Sequence, residues 1–204
     1  MIDQATRRRI ETAIADIERG TRAEFVAVIA HRSDEYAGTS YAAGAAAAAL
    51  VGFAVWRLVP WAGGGEILTG QFAAFLIVFL LARFTPLGVR LTPKATRERK
   101  AKQVARAIFL DHGLALTDEQ CGVMFFVAAA ERYVEIIADR GIDRKVEAEL
   151  WQKIIDDFTA AVRSGNVEAG FVAALTALGS IMARHYPAKA EENPNQVSNR
   201  LIEL

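Results

Sequence analysis

The sequence lacks several features that would assign a function directly. It has one cysteine, Cys121, so no disulfide can form within the chain. Its 24 basic and 24 acidic residues cancel, so the molecule as a whole has no positive field to attract nucleic acid. The histidines His31, His112 and His185 do not have the spacing of metal ligands. The N-terminus has no apolar core of the signal-peptide type, and its isoleucines instead recur at helical spacing.

Two apolar runs interrupt this balanced chain. Residues 41–56 and residues 67–82 contain no charged side chain. Arg57 and Arg83 follow the runs, and their long side chains can reach the lipid headgroups. Each run therefore extends to about 18–20 residues, which is near the length that crosses a bilayer. The runs predict a transmembrane helical hairpin, and the alternative is a helical hairpin buried in a soluble core.

Two smaller patterns support the transmembrane hairpin. Trp56 and Trp61 flank the turn between the runs, as expected for rings at a membrane interface. Gly44, Ala48 and Gly52 recur every four residues and form a small-residue stripe that would let the second helix approach closely. The stripe can also be interpreted as filler of low hydrophobicity.

Basic residues around the runs predict the orientation. Arg57 is the one basic residue on the side of the turn, whereas Arg22 and Arg32 precede the first run and seven more basic residues follow Arg83 after the second: Arg90, Lys94, Arg97, Arg99, Lys100, Lys102 and Arg106. Because basic residues stay on the cytoplasmic side, we expect a multi-pass protein of the bacterial inner membrane with both termini in the cytoplasm. We expect five of them to contact anionic lipid headgroups, namely Arg90, Lys94, Arg97, Arg99 and Lys100. No aromatic residues interleave these charges, so nucleic acid is not an expected partner.

The rest of the chain has the pattern of an α/β fold. Apolar runs and alternation predict strands over residues 23–30, 121–129 and 132–139. Along the third strand, alternation puts four residues on one face: Tyr133, Glu135, Ile137 and Asp139. Helical periodicity predicts an N-terminal helix and helices over residues 93–112, 144–163 and 166–185. Leu150 and Val162 are among the residues predicted to face the core, and His112 is interpreted as a side chain that interacts with a helix C-terminus. The hairpin interrupts the connection between the first two strands, which we expect to be parallel. An even number of spans keeps both halves of the sheet on one side of the membrane.

Three stretches resemble a known family. They are residues 113–151 (GLALTDEQCGVMFFVAAAERYVEIIADRGIDRKVEAELW), the ending RHYPAKAEENPNQVSNRLIEL and the segment AEFVAVIAHRSDEYA near the N-terminus. Together they resemble the membrane-inserted bacterial branch of the TPM-domain family. The resemblance implies an α/β fold with a small mixed sheet sandwiched by helices, interrupted here by the two-helix transmembrane hairpin. The expected segments are residues 1–37 (first helix and strand), 38–88 (hairpin), 89–187 (remainder of the TPM-like domain) and 188–204 (polar tail).

The resemblance also bears on chemistry. Some members of the family are acid phosphatases or bind calcium, and these have a Gly-aromatic-Gly step after the third strand. This chain has Ala138-Asp139-Arg140-Gly141-Ile142 at that place. The departure argues against carrying the phosphatase activity over to this chain.

Four residues near that step are the candidates for a site. Glu135, Asp139 and Asp143 are candidate ligands for Ca²⁺ or Mg²⁺, which bind several oxygens at once. Asp139 and Arg140 are candidate catalytic residues, because the Arg140 guanidinium can contact a phosphate oxygen. The alternative is a solvated strand face with an Asp near a helix start. Glu135 and Asp139 are separated by about 13 Å of extended backbone, which is too far for chelation unless the side chains bend together.

We therefore expect a membrane protein that binds no cofactor and presents a cytoplasmic TPM-like domain as a non-catalytic interaction or assembly module. Its protein partner is not identified by the sequence. The alternative function is a metal-dependent phosphatase or phosphoesterase acting through the four residues named above.

Overall fold

The computed structural model describes residues 4–115, 120–188 and 201–204. The chain forms two compact units. Met1–Ser33 and Ala101–Leu204 form the first, here named the α/β unit, and Asp34–Lys100 form the second, here named the hairpin unit. The predicted hairpin, residues 38–88, lies inside the hairpin unit.

Helices and strands follow one another as α1 (Gln4–Gly20), β1 (Phe25–Ala30), α2 (Ala37–Leu58), α3 (Gly64–Phe84), α4 (Leu87–Leu91), α5 (Lys94–Asp111), β2 (Val123–Ala128), β3 (Tyr133–Ala138), α6 (Arg140–Asp143), α7 (Ala148–Arg163), α8 (Val167–His185) and β4 (Ile202–Glu203). The three predicted strands and the four predicted helices of the α/β part are all present. The predicted α/β fold with a mixed sheet between helices is confirmed.

The sheet of the α/β unit has the strand order β3-β2-β1-β4. Strands β2 and β4 run parallel to β1, as predicted for β2, whereas β3 runs antiparallel to β2. The carboxyl ends of β1 and β2 therefore lie beside the start of β3, because Ala128 pairs with Tyr133. At the opposite edge Val123, which begins β2, pairs with Ala138, which ends β3. These two edges carry the two candidate sites described below.

Alternation along β1 divides the interior into two cores. Phe25, Ala27 and Ile29 face one core together with buried residues of α1, α7 and α8. The intervening residues of β1 face the second core, together with the buried residues of α5. Every residue of β1 is buried because both faces of the strand are covered by helices.

Three phenylalanines hold α7 and α8 on the first face of the sheet. Phe125 of β2, Phe158 of α7 and Phe171 of α8 contact one another edge to face, with ring centroids 4.8–5.6 Å apart. All three side chains are almost completely buried. Such pairs favour edge-to-face geometry because the positive ring edge meets the negative ring face.

Three helices are long and apolar enough to cross a membrane: α2, α3 and α8. Helix α8 differs from the other two because its apolar side chains are used inside the protein. Leu175, Leu178 and Met182 are buried in the first core, and Gly179 lies against Ile17 of α1. In contrast, only 11% and 6% of the apolar stretches of α2 and α3 are buried.

Helices α2 and α3 of the hairpin unit pack antiparallel. Tyr41 contacts Phe79, with 4.7 Å between ring centroids, and Gly44 lies against Phe75. Farther along α2, Gly52 lies against Gln71. Gly44 and Gly52 of the predicted stripe therefore do face the second helix.

The segment after β3 differs from the sequence prediction. The helix predicted from residue 144 begins four residues later, at Ala148, and the separate short helix α6 precedes it. Asp143, expected to start the long helix, instead ends α6. Leu150 and Val162, which were predicted to face the core, are 42% and 39% exposed.

The C-terminal residues join the sheet. Leu201 is buried in the first core, and β4 pairs with Val28 and Ile29 of β1. A two-residue strand is too short to produce a period-two pattern, so the sequence did not predict it. Most of the predicted polar tail, residues 189–200, lies outside the described residues.

Candidate functional site

Asp139 lies at the edge of the sheet where β3 ends. Its backbone N–H donates to the Gly122 carbonyl across 2.8 Å, which continues the pairing of β3 with β2. Its Oδ1 accepts a hydrogen bond of 2.6 Å from the Arg140 N–H, and its carbonyl accepts from Ile142 and Asp143. Asp139 is therefore the N-cap of α6 and turns the chain from strand to helix.

Glu135 lies within β3, before that cap in the chain, and its contacts are different. Its carboxylate accepts a hydrogen bond of 3.0 Å from the Tyr133 hydroxyl and lies 3.8 Å from Lys102 Nζ of α5. It shares the face of β3 that packs against the second core, as the alternation predicted for Tyr133 and Ile137. Glu135 thus links β3 to α5.

The structure does not bring the predicted carboxylates together as a metal site. Glu135 is bonded to Tyr133 and Lys102, Asp139 caps α6, and Asp143 is exposed at the end of that helix. In the part of the chain that the structure describes, no three His, Cys, Asp or Glu side chains are grouped so that they could hold a metal ion. Calcium or magnesium binding at these residues therefore stays a prediction without a geometric basis.

One polar atom at this edge has no explanation from packing. Asp139 Oδ2 is buried and has no hydrogen-bond partner among the described residues, although Oδ1 is bonded. Arg140 is exposed beside it. Gly141 is in close contact with the chain, since a Cβ there would lie 2.4 Å from the Gln120 carbonyl and 2.8 Å from the Tyr186 hydroxyl. The chain is therefore tightly packed at Gly141, two residues after Asp139.

Cys121 and His112 have structural contacts. The Cys121 thiol is buried and donates to the Arg22 carbonyl over 3.3 Å, beside the first residues of β1. His112 Nδ1 lies 3.0 Å from the Ile108 carbonyl, just after the end of α5. This position agrees with the interpretation of His112 as a side chain that interacts with a helix C-terminus.

The opposite edge of the sheet contains a cavity of about 890 Å³. It lies at the carboxyl ends of β1 and β2, and its apolar floor includes Ile29, Val127, Phe158 and Phe171. Polar and charged side chains surround this floor: Thr6, His31, Arg132, Tyr133, Thr159, Arg163, Glu168 and Glu203. None of the predicted site residues lines it.

Sequence reasoning missed this cavity for a physical reason. Its lining comes from both ends of the chain and from several strands and helices between them, so no short motif contains it. One feature of the sequence could have indicated the cavity, namely a charged residue just after a predicted parallel strand. Residues that follow the carboxyl ends of parallel strands often form ligand sites in α/β sheets. Arg132 has that position after β2, and its backbone is left-handed with φ of 54°.

Comparison with known proteins agrees with this fold. Residues 87–181 match the family model of the TPM domain. The chain also resembles the NMR structure of the BA42 protein from the psychrophilic bacterium Bizionia argentinensis, with a TM-score of 0.62. That likeness covers 100% of this chain and 95% of the BA42 chain at 15% sequence identity, so it concerns the fold alone. Among curated proteins, none matches the chain.

The TPM domain match begins at Leu87 and includes the candidate residues around Asp139 completely but the cavity only in part. It contains the segment from Glu135 to Asp143 and the cavity residues Arg132 and Arg163. It leaves out α1 and β1, which supply Thr6, Ile29 and His31 to the cavity. The cavity is therefore assembled only when both ends of the chain fold together.

The TPM domain match also contains the five basic residues predicted to contact lipid headgroups, one in α4 and four at the start of α5. Lys94 pairs with Glu98 over 3.4 Å, and Lys100 pairs with Asp34 over 2.7 Å. Arg97 is partly buried. The remaining two of the predicted set, Arg90 and Arg99, are exposed and form no ion pair within the described residues.

Proposed function

We propose that this protein is anchored in the bacterial inner membrane by its hairpin and presents its TPM-like α/β unit in the cytoplasm as a non-catalytic binding or assembly module. The observation that carries the proposal is the exposed apolar surface of α2 and α3. Leu50, Phe53 and Leu58 of α2 are 64–72% exposed, and Leu68 and Phe72 of α3 are 67% and 69% exposed. A continuous surface of this kind needs a lipid or protein environment.

The dimensions of the hairpin suit a bilayer. Helix α2 has 22 residues and α3 has 21. At about 1.5 Å per residue each helix is roughly 32 Å long, close to the thickness of about 30 Å of the hydrocarbon layer. Trp56 and Trp61 are 65% and 82% exposed around the turn, where a membrane interface would accommodate them.

Charge favours one orientation. In the sequence, basic residues are concentrated before and after the hairpin and not at its turn, which favours a cytoplasmic α/β unit. Arg90 and Arg99 are the best candidates for contact with anionic lipid headgroups, because they are exposed and form no ion pair within the described residues. Lys94, Arg97 and Lys100 contribute less to such contact, because two are paired with carboxylates and the third is partly buried.

The non-catalytic role is supported by the contacts of the predicted residues. Glu135 and Asp139 have structural partners, and a hard cation needs several oxygens that converge on one point. An interaction module does not need oxygen ligands that converge on one point. The protein that it would bind is not identified by these contacts.

A metal-dependent phosphoesterase is the second candidate, and one observation favours it. The buried Asp139 Oδ2 has no partner among the described residues and lies on a residue adjacent to Arg140. A carboxylate and a guanidinium on consecutive residues are the kinds of group that phosphate chemistry uses.

Hydrolysis of p-nitrophenyl phosphate separates the two candidates. We expect the full-length protein in detergent to release no nitrophenol above the background, with or without Ca²⁺ or Mg²⁺. Metal-dependent turnover that is lost in Asp139→Asn but kept in Asp111→Asn would establish the phosphoesterase and overturn the proposal. Asp111 is a suitable control because it is exposed at the end of α5, away from the segment after β3.

A further inference from the structure

The cavity at the carboxyl ends of β1 and β2 has an apolar floor, and both acidic and basic side chains surround it. Ile29, Phe158 and Phe171 are nearly completely buried and form the floor. Its volume of about 890 Å³ lies within the range of roughly 300–1,000 Å³ that is typical of small-molecule sites. An apolar floor of this size accommodates a hydrocarbon or aromatic body.

The two acidic residues of the cavity are neutralised by α1. Glu168 forms an ion pair with Arg9 and accepts a hydrogen bond of 2.9 Å from the Thr6 hydroxyl. Glu203 lies 2.7 Å from a guanidinium nitrogen of Arg7. Neither carboxylate is therefore available to balance an additional cation within the cavity.

The two arginines of the cavity have no such partners. Arg132 and Arg163 are exposed and form no ion pair within residues 4–115, 120–188 and 201–204. Arg132 lies between β2 and β3, and Arg163 ends α7. Two separate segments of the chain therefore each contribute a positively charged side chain to the lining of the cavity. Guanidinium groups bind carboxylate and phosphate oxygens strongly because both hydrogen bonds and charge contribute.

We propose that this cavity binds a small amphipathic anion, with its apolar body on the Ile29–Phe158–Phe171 floor and its carboxylate or phosphate against Arg132 and Arg163. This inference deepens the proposed binding role, because it assigns a ligand class to the α/β unit. It rests on the proposed function in one respect, which is that the protein binds the ligand and does not change it chemically. The cavity lies at the opposite edge of the sheet from Asp139, so the two sites can be tested separately.

Calorimetric titration of the full-length protein in nanodiscs of phosphatidylcholine, with empty nanodiscs as the blank, tests the ligand class. The probes are naphthalene-2-carboxylate and 1-naphthyl phosphate, with 2-naphthalenemethanol and 2-naphthylmethylamine as neutral and cationic controls. We expect at least one anion to bind at least about tenfold more tightly than the alcohol and the amine. Whichever anion binds more tightly identifies the headgroup chemistry.

Variants of the arginines test the site. Arg132→Asn and Arg163→Gln should each weaken anion binding by about tenfold, which is the effect of losing one charged hydrogen bond. Asn is chosen for position 132 because it tolerates the left-handed backbone there. Arg144→Gln is the matched control, since Arg144 is an exposed arginine of the same unit that does not line the cavity. It should bind as the unchanged protein does.

Three results would overturn the inference: no binding of either anion, equal binding of the alcohol, or unchanged binding in both cavity variants. Release of fluorescent 1-naphthol from 1-naphthyl phosphate has a different meaning. It would overturn the non-catalytic role, and the dependence of binding on Arg132 and Arg163 would still decide whether the cavity is the anion site.

Discussion

Asp34 shows how a single ionised residue fixes the chain just before the hairpin. One carboxylate oxygen lies 2.7 Å from Lys100 Nζ, and the other accepts from the Tyr36 N–H over 2.9 Å. Partial burial acts to raise the pKa of Asp34, but the hydrogen bonds from Lys100, Tyr36 and Glu35 and the charge of Lys100 outweigh it and lower the pKa. Tyr36 needs such support because its backbone is left-handed, with φ of 51°.

The lowered pKa of Asp34 predicts a pH-dependent contribution to stability. Because the folded pKa lies below the ordinary value of 3.8, the contribution is present above that value and is lost as pH falls through the folded pKa. Asp34→Asn should lower the free energy of unfolding near neutral pH by about 0.2–1 kcal/mol, as for other partly exposed pairs. Thermal unfolding of both proteins in detergent, from neutral to strongly acidic pH, measures the difference. A difference that stays constant across this range would contradict the prediction.

At the same scale, the sequence predicted the faces of β3 but not the roles of its acidic residues. Alternation correctly put Glu135 on the face of Tyr133 and Ile137, because a strand has a fixed period of two. It also put Asp139 on that face as a potential co-ligand. The chain turns into α6 at Asp139, and such a turn depends on tertiary contacts around Gly122 and Gly141 that periodicity does not contain.

The packing of the hairpin belongs to the scale of elements, and at Gly44 helix α2 lies against both the side chain and the backbone of α3. A Cβ at Gly44 would lie 2.9 Å from Phe75 Cδ2 and 3.0 Å from the Phe75 carbonyl oxygen of α3. A Cβ at Gly52 would instead meet the Gln71 side chain, whose far end can turn away. A side chain at position 44 would therefore meet backbone, which cannot turn away as the Gln71 side chain can.

Gly44→Leu should separate α2 from α3 and destabilise the hairpin by about 1 kcal/mol or more, because close backbone approach is blocked. Gly52→Leu should cost less, since Gln71 can move. Ala49→Leu is the control, because Ala49 is exposed on the same helix. The midpoint of thermal unfolding in detergent is the measurement. Equal midpoints for Gly44→Leu and Ala49→Leu would mean that the stripe does not determine helix packing.

Long elements were predictable and short ones were not. The apolar runs and periodic segments predicted β1, β2, β3, α1, α5 and α8 because each extends over enough residues to show its period. Helix α6 has four residues and β4 has two, so neither shows a period. The cavity between the sheet edge, α7 and α8 was not predictable either, since its arginines Arg132 and Arg163 are brought together only by the packing of those elements.

At the scale of the whole molecule, the insertion of a hairpin between β1 and β2 constrains the topology. Strands β1 and β2 are neighbours in one sheet, although residues 34–100 separate them in the chain as a compact unit. If α2 and α3 both cross the membrane, the chain returns to the side from which it left, and the sheet can form. A single span would put β1 and β2 on opposite sides, which the pairing of Phe25 with Val123 excludes.

Cysteine labelling tests this topology in intact cells. In a Cys121→Ala background, which removes the one native thiol, Gly64→Cys at the turn should react with a membrane-impermeant maleimide. Ser164→Cys, at the exposed end of α7, should react only after the membrane is opened, because the basic residues favour a cytoplasmic α/β unit. Labelling of position 164 in intact cells would place that unit outside. Extraction of the protein by carbonate, with equal labelling of both positions before and after opening, would show that the hairpin does not span the membrane.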